Sequence, residues 1–271
     1  KQVIVGGKAV RSNYKVKPRD FIEVLVDKEP EDLEVIAQDI PLDIRYEDDA
    51  IMIVNKPAGM VVHPGFGNKT GTLINALAYL LNDKVTHKGK RPWLVHRIDK
   101  NTSGLLVIAK TDEAMAHLSK QFKDHTIERT YLALAWGSVE PKQGTVESFI
   151  GRDEYDRKRF VVTEPSEERG KHAVTHYKVL EDFVYTSLVQ CNLETGRTHQ
   201  IRVHLQSQNH PIVGDKTYGG GRPRLSDFKK KFNGTESAEL IQRFALHAQR
   251  IEFDAMGNSY SIACDYEKDF E

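Results

Sequence analysis

The stretch that decides how this chain is interpreted is VHRIDKNTSGLLVIAK, residues 95–110. Its first half, residues 96–104, is polar and charged and ends in glycine, whereas residues 105–109 form a short apolar run. An apolar run bounded by Gly104 and Lys110 is typical of a buried strand. The sequence therefore predicts a charged loop that enters the core, with Asp99 on that loop.

Asp99 has two interpretations from the residues alone. Nearby cations and hydroxyl groups, from Arg97, Lys100 and Thr102, would favour its ionised form. An ionised carboxylate suits a nucleophile or a general base. Alternatively, Asp99 and Asn101 make local backbone hydrogen bonds and only shape a turn.

Size and composition describe a globular protein. The chain has 271 residues, of which 39% are hydrophobic and 29% charged, enough for one large or two smaller domains. It contains no apolar run near the roughly 20 residues that cross a bilayer, and no signal peptide is evident. Cys191 and Cys264 indicate a reducing compartment and are expected in the core. We expect a cytoplasmic monomer without membrane contact.

Charge is balanced overall but unevenly distributed. There are 39 basic and 39 acidic residues, whereas residues 1–19 carry six basic and no acidic side chains and residues 196–231 carry eight basic and two acidic. Local basic surfaces of this kind can bind phosphate. The run Arg157–Arg159 is either a solvated face or a surface that contacts a nucleic acid such as RNA.

The chain divides into three parts. Strands over 3–5 and 21–26, with a Gly6-Gly7 hairpin turn, belong to residues 1–28. Residues 29–42 form an acidic, proline-bearing linker, and residues 43–271 form the main domain. Within it, helical spacing predicts helices over 72–81 and about 112–124, and alternation predicts strands over 130–136, 172–180 and 185–193.

Four motifs, in order, resemble the RluA/RluD family of RNA pseudouridine synthases. HRIDKNTSGLL resembles the active-site signature H-R-L-D-x-x-T-S-G, with Ile98 in place of leucine. The others are NKPAGMVVHP at 55–64, RTYLALAWG at 129–137 and TGRTHQIRVH at 195–204. The resemblance, including PIVGDKTYG at 211–219, spans about residues 43–265. Residues 1–28 resemble the last third of an αL RNA-binding module, although an ordinary basic hairpin is the alternative.

This resemblance implies an α+β fold, a large mixed and mostly antiparallel sheet flanked by helices, with an active-site cleft near Asp99. It also implies site residues. Asp99 is the catalytic residue, Arg202 pairs with it and Tyr131 stacks on the target base. The residues expected to bind substrate are Arg97, which fills the space vacated by the base, Arg197 on the RNA backbone, Ile201 beside the base, and His96 and Thr102.

The implied reaction isomerises uridine to pseudouridine in RNA and needs no cofactor and no metal. The carboxylate would attack C1′ or abstract a proton from C2′, and the sequence leaves both open. Large-subunit ribosomal RNA is the first expected substrate and transfer RNA the second. A catalytically silent RNA-binding ribosome-assembly protein and a metal hydrolase are the alternatives from other classes. His63, His199 and His204 lack the spacing of metal ligands.

Overall fold

The computed structural model describes residues 2–11, 14–25, 35–65, 67–81, 93–165, 169–219 and 243–266. These fall in two compact units, residues 1–34 and 35–271. The predicted linker over 29–42 lies partly outside the described residues, and its placement as a domain boundary stays a prediction. The part of the basic segment over 220–231 also lies outside the described residues.

The smaller unit is a three-stranded antiparallel sheet. Its strands β1 (Gln2–Val5), β2 (Lys8–Val10) and β3 (Ile22–Leu25) lie in the order β2-β1-β3. Gly6 and Gly7 join β1 to β2 with φ values of 55° and 78°, which confirms the predicted hairpin turn. That this sheet belongs to an αL RNA-binding module stays a prediction.

The larger unit is built on one eleven-stranded sheet. Its strands are β4 (Asp43–Glu47), β5 (Ile51–Lys56), β6 (Trp93–Leu94), β7 (Ser103–Ala109), β8 (Glu128–Trp136), β9 (Gln143–Arg152), β10 (Phe160–Thr163), β11 (Lys171–Asp182), β12 (Thr186–Leu193), β13 (Leu246–Ala255) and β14 (Asn258–Ala263). The order is β10-β9-β11-β12-β8-β13-β7-β5-β4, with β14 paired to β13 and β6 to β7. Among the described strands only β7 and β13 pair in parallel, so the expected mixed, mostly antiparallel sheet is confirmed.

Three helices flank this sheet in the described chain: α1 (Leu73–Leu80), α2 (Asp112–Asp124) and α3 (Gln200–Ser207). Thr72 and Thr111 cap α1 and α2 by accepting backbone N–H groups, which fixes where the two predicted helices begin. Side chains of β7 alternate between two cores. Leu106 and Ile108 pack on the same side as α1, and Leu105 and Val107 pack on the side of α2. Burial on both faces explains the uninterrupted apolar run.

Gly104 allows β7 to pair closely with β13 next to the Asp99 loop. Its φ is +113°, and a Cβ built on it would lie 2.6 Å from the backbone nitrogen of Ala248 and closer still to the carbonyl oxygen. Gly104 and Ala248 are direct partners in the parallel pairing. The glycine of the T-S-G signature is therefore required by a neighbouring backbone.

We predict that Gly104→Ala destabilises the fold by more than about 4 kcal/mol, because the new methyl group meets backbone that cannot move aside. Gly59→Ala is the matched control, since Gly59 also has positive φ, +85°, but its Cβ position is open. That control should cost only about 1–2 kcal/mol. Urea unfolding measures both, and equal losses would contradict the proposed clash.

Two buried histidines hold polar networks inside the fold. His247 is fully buried and lies 2.9 Å from Ser103 Oγ through Nδ1 and 3.3 Å from Cys264 Sγ through Nε2. His204, on α3, is also fully buried, with Thr175 Oγ1 at 2.8 Å and Ser148 Oγ at 2.9 Å. Burial lowers the pKa of each histidine from 6.5 to about 4.

The fold should therefore lose stability as pH falls from 6.5 towards 4. In this window the unfolded chain binds protons at His204 and His247 that the folded chain excludes. Each contributes up to about 3 kcal/mol, and the loss levels off below the folded pKa. We predict that His204→Gln, although less stable at pH 7, loses less stability between pH 7 and pH 4.5 in urea titrations. Parallel pH curves for the two proteins would contradict this.

Candidate active site

A pocket of about 280 Å³ opens where the Asp99 loop faces α3 and the end of β8. Its walls bring together all eight residues expected at the site from the sequence. They are Asp99, Tyr131, Arg202, Arg97, His96, Ile201, Arg197 and Thr102. Side chains from three distant segments of the chain thus meet in one place.

The NKPAG loop, residues 55–59, holds the Asp99 loop in place by hydrogen bonds. Lys56 is fully buried, and its ammonium donates to the carbonyl oxygens of Pro57 at 2.8 Å and Lys100 at 3.1 Å. Gly59 N–H donates to the same Lys100 oxygen at 2.9 Å. Thr102 N–H closes the turn by donating to the Asp99 carbonyl at 3.1 Å. The backbone of Asp99 thus forms the turn that one interpretation expected, and its side chain enters the pocket. Its role as nucleophile or base stays a prediction.

Arg202 connects this loop to α3. Its Nη1 donates to Asp99 Oδ2 at 2.9 Å, which is the ion pair expected from the motifs. The helix begins at Gln200, with His199 as its N-cap in a left-handed conformation (φ 58°). Gln200 orders this turn, since its Oε1 accepts from Thr195 Oγ1 and Arg197 N–H at 2.7 and 2.9 Å.

Asp215 holds the other edge of the same guanidinium. Its oxygens accept from Arg202 Nε at 2.7 Å and Nη2 at 3.1 Å, a bidentate arrangement, and its side chain is fully buried. Burial of Arg202 opposes its charge, but the hydrogen bonds of Asp215 and the charges of both carboxylates outweigh this, so the pKa of Arg202 is raised. The guanidinium is a fixed cation with a fixed orientation.

The two oxygens of Asp99 have different surroundings. Oδ2 receives Arg202 and also lies 3.8 Å from His199 Nε2. Oδ1 makes no hydrogen bond to any residue that the structure describes, and the side chain is 19% exposed. One oxygen is therefore anchored while the other is available to a reacting group in the pocket.

His199 is oriented by Tyr218. The hydroxyl of Tyr218 accepts from Phe160 N–H at 2.9 Å and lies 2.7 Å from His199 Nδ1. We assign the hydroxyl proton to the bond with Nδ1, which leaves the imidazole hydrogen on Nε2, facing Asp99. Burial lowers the pKa of His199, with the charge of Asp99 acting in the opposite direction. His199 is therefore neutral at pH 7, and its Nε2 lies near the anchored oxygen at a distance longer than a hydrogen bond.

The base-binding and RNA-binding candidates occupy different depths. Tyr131 and Ile201 are 7% and 4% exposed and form the pocket wall. Burial raises the pKa of Tyr131, and Asp99 adds to this while Arg129 opposes it. Arg97 lies at the mouth, exposed and without a hydrogen bond or ion pair in the described part of the chain.

The remaining candidates are more constrained. Arg197 Nε donates to the His172 carbonyl at 2.8 Å. His96 Nε2 accepts from Val107 N–H at 3.0 Å while its ring stacks on Phe122. Thr102 is only 2% exposed. Substrate contact by these three stays a prediction.

Three residues that the sequence did not assign to the site belong to it: Asp215, His199 and Arg129. Arg129 shares a face of β8 with Tyr131, since side chains two apart on a strand point the same way, and that spacing could have revealed it. His199 was considered only as a metal ligand. Asp215 was noted only as part of the PIVGDKTYG motif, and only the folded structure shows its direct bond to Arg202.

The described residues contain neither a metal-binding cluster nor a membrane-spanning helix. No cluster of histidine, cysteine and carboxylate side chains there could hold a metal ion. No helix in that part of the chain is long and apolar enough to span a bilayer.

Comparisons with known proteins agree with this construction. A family model described as RNA pseudouridylate synthase matches residues 50–207. An uncharacterized RNA pseudouridine synthase of Chlorobaculum parvum is 45% identical over 276 residues, covering 100% of this chain and 84% of the relative. Ribosomal large subunit pseudouridine synthase D of Zymomonas mobilis is 47% identical over 218 residues, covering 80% and 66%. The solved structure of human RNA pseudouridylate synthase domain containing 4 has a TM-score of 0.67 at 27% identity, covering 84% and 89%.

The chain therefore belongs to the RNA pseudouridylate synthase family, in the RluA/RluD group that its motifs indicated. It is an RNA pseudouridine synthase, an isomerase that acts on uridine in RNA.

We predict that Asp215→Asn lowers the free energy of unfolding by about 3 kcal/mol, because it leaves one edge of a buried guanidinium without its charged partner. Activity should fall with it, since Arg202 then orients Asp99 less firmly. Asp124→Asn is the control, because Asp124 forms an exposed ion pair with Lys120 and should change stability by less than about 1 kcal/mol. Urea unfolding compares them, and equal stability of the two variants would contradict the role given to Asp215.

Proposed function

We propose that Asp99 is the catalytic residue of this synthase and that Arg202 and Tyr131 act with it on a flipped-out uridine. The observation that carries this proposal is the unequal bonding of the carboxylate. Oδ2 is fixed by Arg202 at 2.9 Å, and Oδ1 has no partner among the described residues and faces the pocket that Tyr131 lines. A carboxylate held in one orientation with one free oxygen suits attack or proton abstraction.

The target uridine would leave its stack to reach this oxygen. Flipping costs a few kcal/mol, least in a loop or a distorted helix. Tyr131 would stack on the extruded uracil and recover roughly 1–3 kcal/mol, with Ile201 on its edge. Arg97, exposed at the mouth, has the length and planar head to occupy the space left in the RNA.

The chemistry then needs three changes. The N1–C1′ bond breaks, the uracil turns, and a C5–C1′ bond forms with loss of the hydrogen at C5. Asp99 starts this either by attack at C1′ or by removal of the C2′ proton, and both fit one free oxygen. No electron is gained or lost, so the reaction is balanced without a redox partner.

Large-subunit ribosomal RNA is the proposed substrate, with transfer RNA as the second candidate. Support comes from the similarity to ribosomal large subunit pseudouridine synthase D of Zymomonas mobilis. Every side chain named in the site comes from one chain, so a monomer would suffice. The two buried cysteines, neither in a disulfide, are consistent with a reducing cytoplasm.

The test is tritium release from RNA labelled at C5 of uridine. Wild-type protein, Asp99→Asn and Asp124→Asn are compared on ribosomal and on transfer RNA from cells that lack the enzyme. We expect release with wild type and the surface control, and at least a 1,000-fold loss with Asp99→Asn, which keeps shape but removes the charge; losses of this size follow removal of a catalytic group.

Each result decides one part of the proposal. Release from ribosomal RNA alone supports the proposed substrate, and release from transfer RNA alone replaces it. Full activity of Asp99→Asn would overturn the role of Asp99. No release from either RNA, with RNA binding intact, would favour the catalytically silent RNA-binding protein.

A further inference from the structure

Arg129 is a buried cation in the wall of the pocket. It is 7% exposed and lines the same cavity as Asp99 and Tyr131. It lies on β8 two residues before Tyr131, on the same face of the strand. The side chain therefore points to the place where a uracil stacked on Tyr131 would lie.

Arg129 has hydrogen-bond partners but no counter-charge. Its Nη2 donates to the carbonyl oxygens of Leu193 and Glu194 at 3.3 and 3.1 Å, and its guanidinium lies over the Phe122 ring. Its Nε is buried and has no hydrogen-bond partner among the described residues. No carboxylate within the described residues forms an ion pair with it, in contrast to Arg202, which has two.

Burying a cation without an anion is costly, and burial lowers the pKa of Arg129 accordingly. Buried charges in proteins are paired as a rule. An unpaired one in a reaction pocket is explained if the reaction supplies the anion. The pocket is then complementary to a charge that exists only part-way through the reaction.

The proposed reaction generates such a charge on uracil. When the N1–C1′ bond breaks, the bonding electron pair stays with N1, and the detached ring carries a negative charge shared among N1, O2 and O4. The charge disappears when C5 bonds to C1′. The C5 proton then leaves and a proton is taken up at N1, which gives the neutral product. A cation beside the ring would stabilise the state with the highest charge.

We propose that Arg129 stabilises the detached uracil as an anion, a role that rests on the proposed function. The Tyr131 ring would hold the uracil by stacking, and Arg129 would offset its charge while the ring turns. The protein then contributes two fixed cations with separate duties. Arg202 orients the Asp99 carboxylate, and Arg129 stabilises the negative charge on the leaving base.

An RNA phosphate is the other anion to consider. A phosphate lies on the outside of the nucleic acid and suits exposed side chains such as Arg97, whereas Arg129 is enclosed by Phe122, Tyr131 and the end of β12. The two roles give different kinetics. A phosphate contact contributes mainly to binding and its salt dependence, whereas the proposed role contributes to the rate at saturating RNA.

The test measures single-turnover conversion of the target uridine at saturating RNA, read by nuclease digestion and nucleoside chromatography. Arg129→Met should slow conversion by 100-fold or more, about the loss that follows removal of a donor to a developing anion. Arg129→Lys should retain more of the rate than Arg129→Met. Arg250→Gln is the matched control, because Arg250 is an exposed arginine on β13 that pairs with Thr130, and its rate should be unchanged.

RNA with 5-fluorouridine at the target provides the sharper readout. Fluorine stabilises the uracil anion, so cleavage of 5-fluorouridine depends less on charge stabilisation by the enzyme. The factor by which Arg129→Met slows the disappearance of 5-fluorouridine should therefore be at least ten times smaller than the factor for uridine. Asp99→Asn should stop the reaction of both nucleosides. This separates failure of the Arg129 role from failure of the proposed function.

Gly196→Ala gives an independent variant that keeps the charge. A Cβ at Gly196 would lie 2.7 Å from Arg129 Nη1, so the methyl group must displace the guanidinium. A rate loss in this variant with unchanged RNA affinity supports the proposal, even if Arg129→Met folds poorly. Equal slowing of uridine and 5-fluorouridine, or a loss confined to RNA affinity and its salt dependence, would overturn it.

Discussion

The guanidinium of Arg202, held between Asp99 and Asp215, is the interaction on which the rest of the site depends. A buried cation between two carboxylates is stable only when all three groups are held in place, because each leaves an uncompensated charge if another moves. The fold meets this condition with three separate supports. The Lys56 ammonium secures the Asp99 loop, Gln200 secures the start of α3, and the backbone N–H groups of Thr217 and Tyr218 secure Asp215 at 2.9 and 3.1 Å.

Electrostatic asymmetry follows from this arrangement. One part of the pocket wall carries a carboxylate whose charge is balanced by a shared cation, and another part carries Arg129, which has no carboxylate partner among the described residues. A neutral nucleoside enters such a pocket without a large charge mismatch, and heterolysis of its glycosidic bond creates an anion where the unmatched cation lies. The charged groups of the site would thus stabilise the detached uracil anion more than the bound neutral nucleoside.

Much of this could be predicted from the sequence, because local signals there are strong. The apolar run after Gly104 and the helices over 72–81 and about 112–124 agree with the structure. The pairing of Arg202 with Asp99, which the family resemblance implied, also agrees. What could not be predicted depends on long-range packing. No local pattern shows that Asp215 reaches Arg202, that Tyr218 orients His199, or that Ala248 passes so close to residue 104. Arg129 could be predicted in part. Strand alternation places it on the same face as Tyr131, but only the folded structure shows that no described carboxylate forms an ion pair with it.

The parallel contact between β7 and β13 also bears on how the enzyme matures. Ser103 and His247 are 144 residues apart in the chain, a larger separation than in any other pairing between the described strands. Contacts at this separation form late, because the entropy of closing the loop must be offset by contacts already made. The segment that ends the Asp99 loop is one partner in that closure. A nascent chain that has not yet added β13 therefore carries the signature residues without the strand pairing that positions the end of the Asp99 loop.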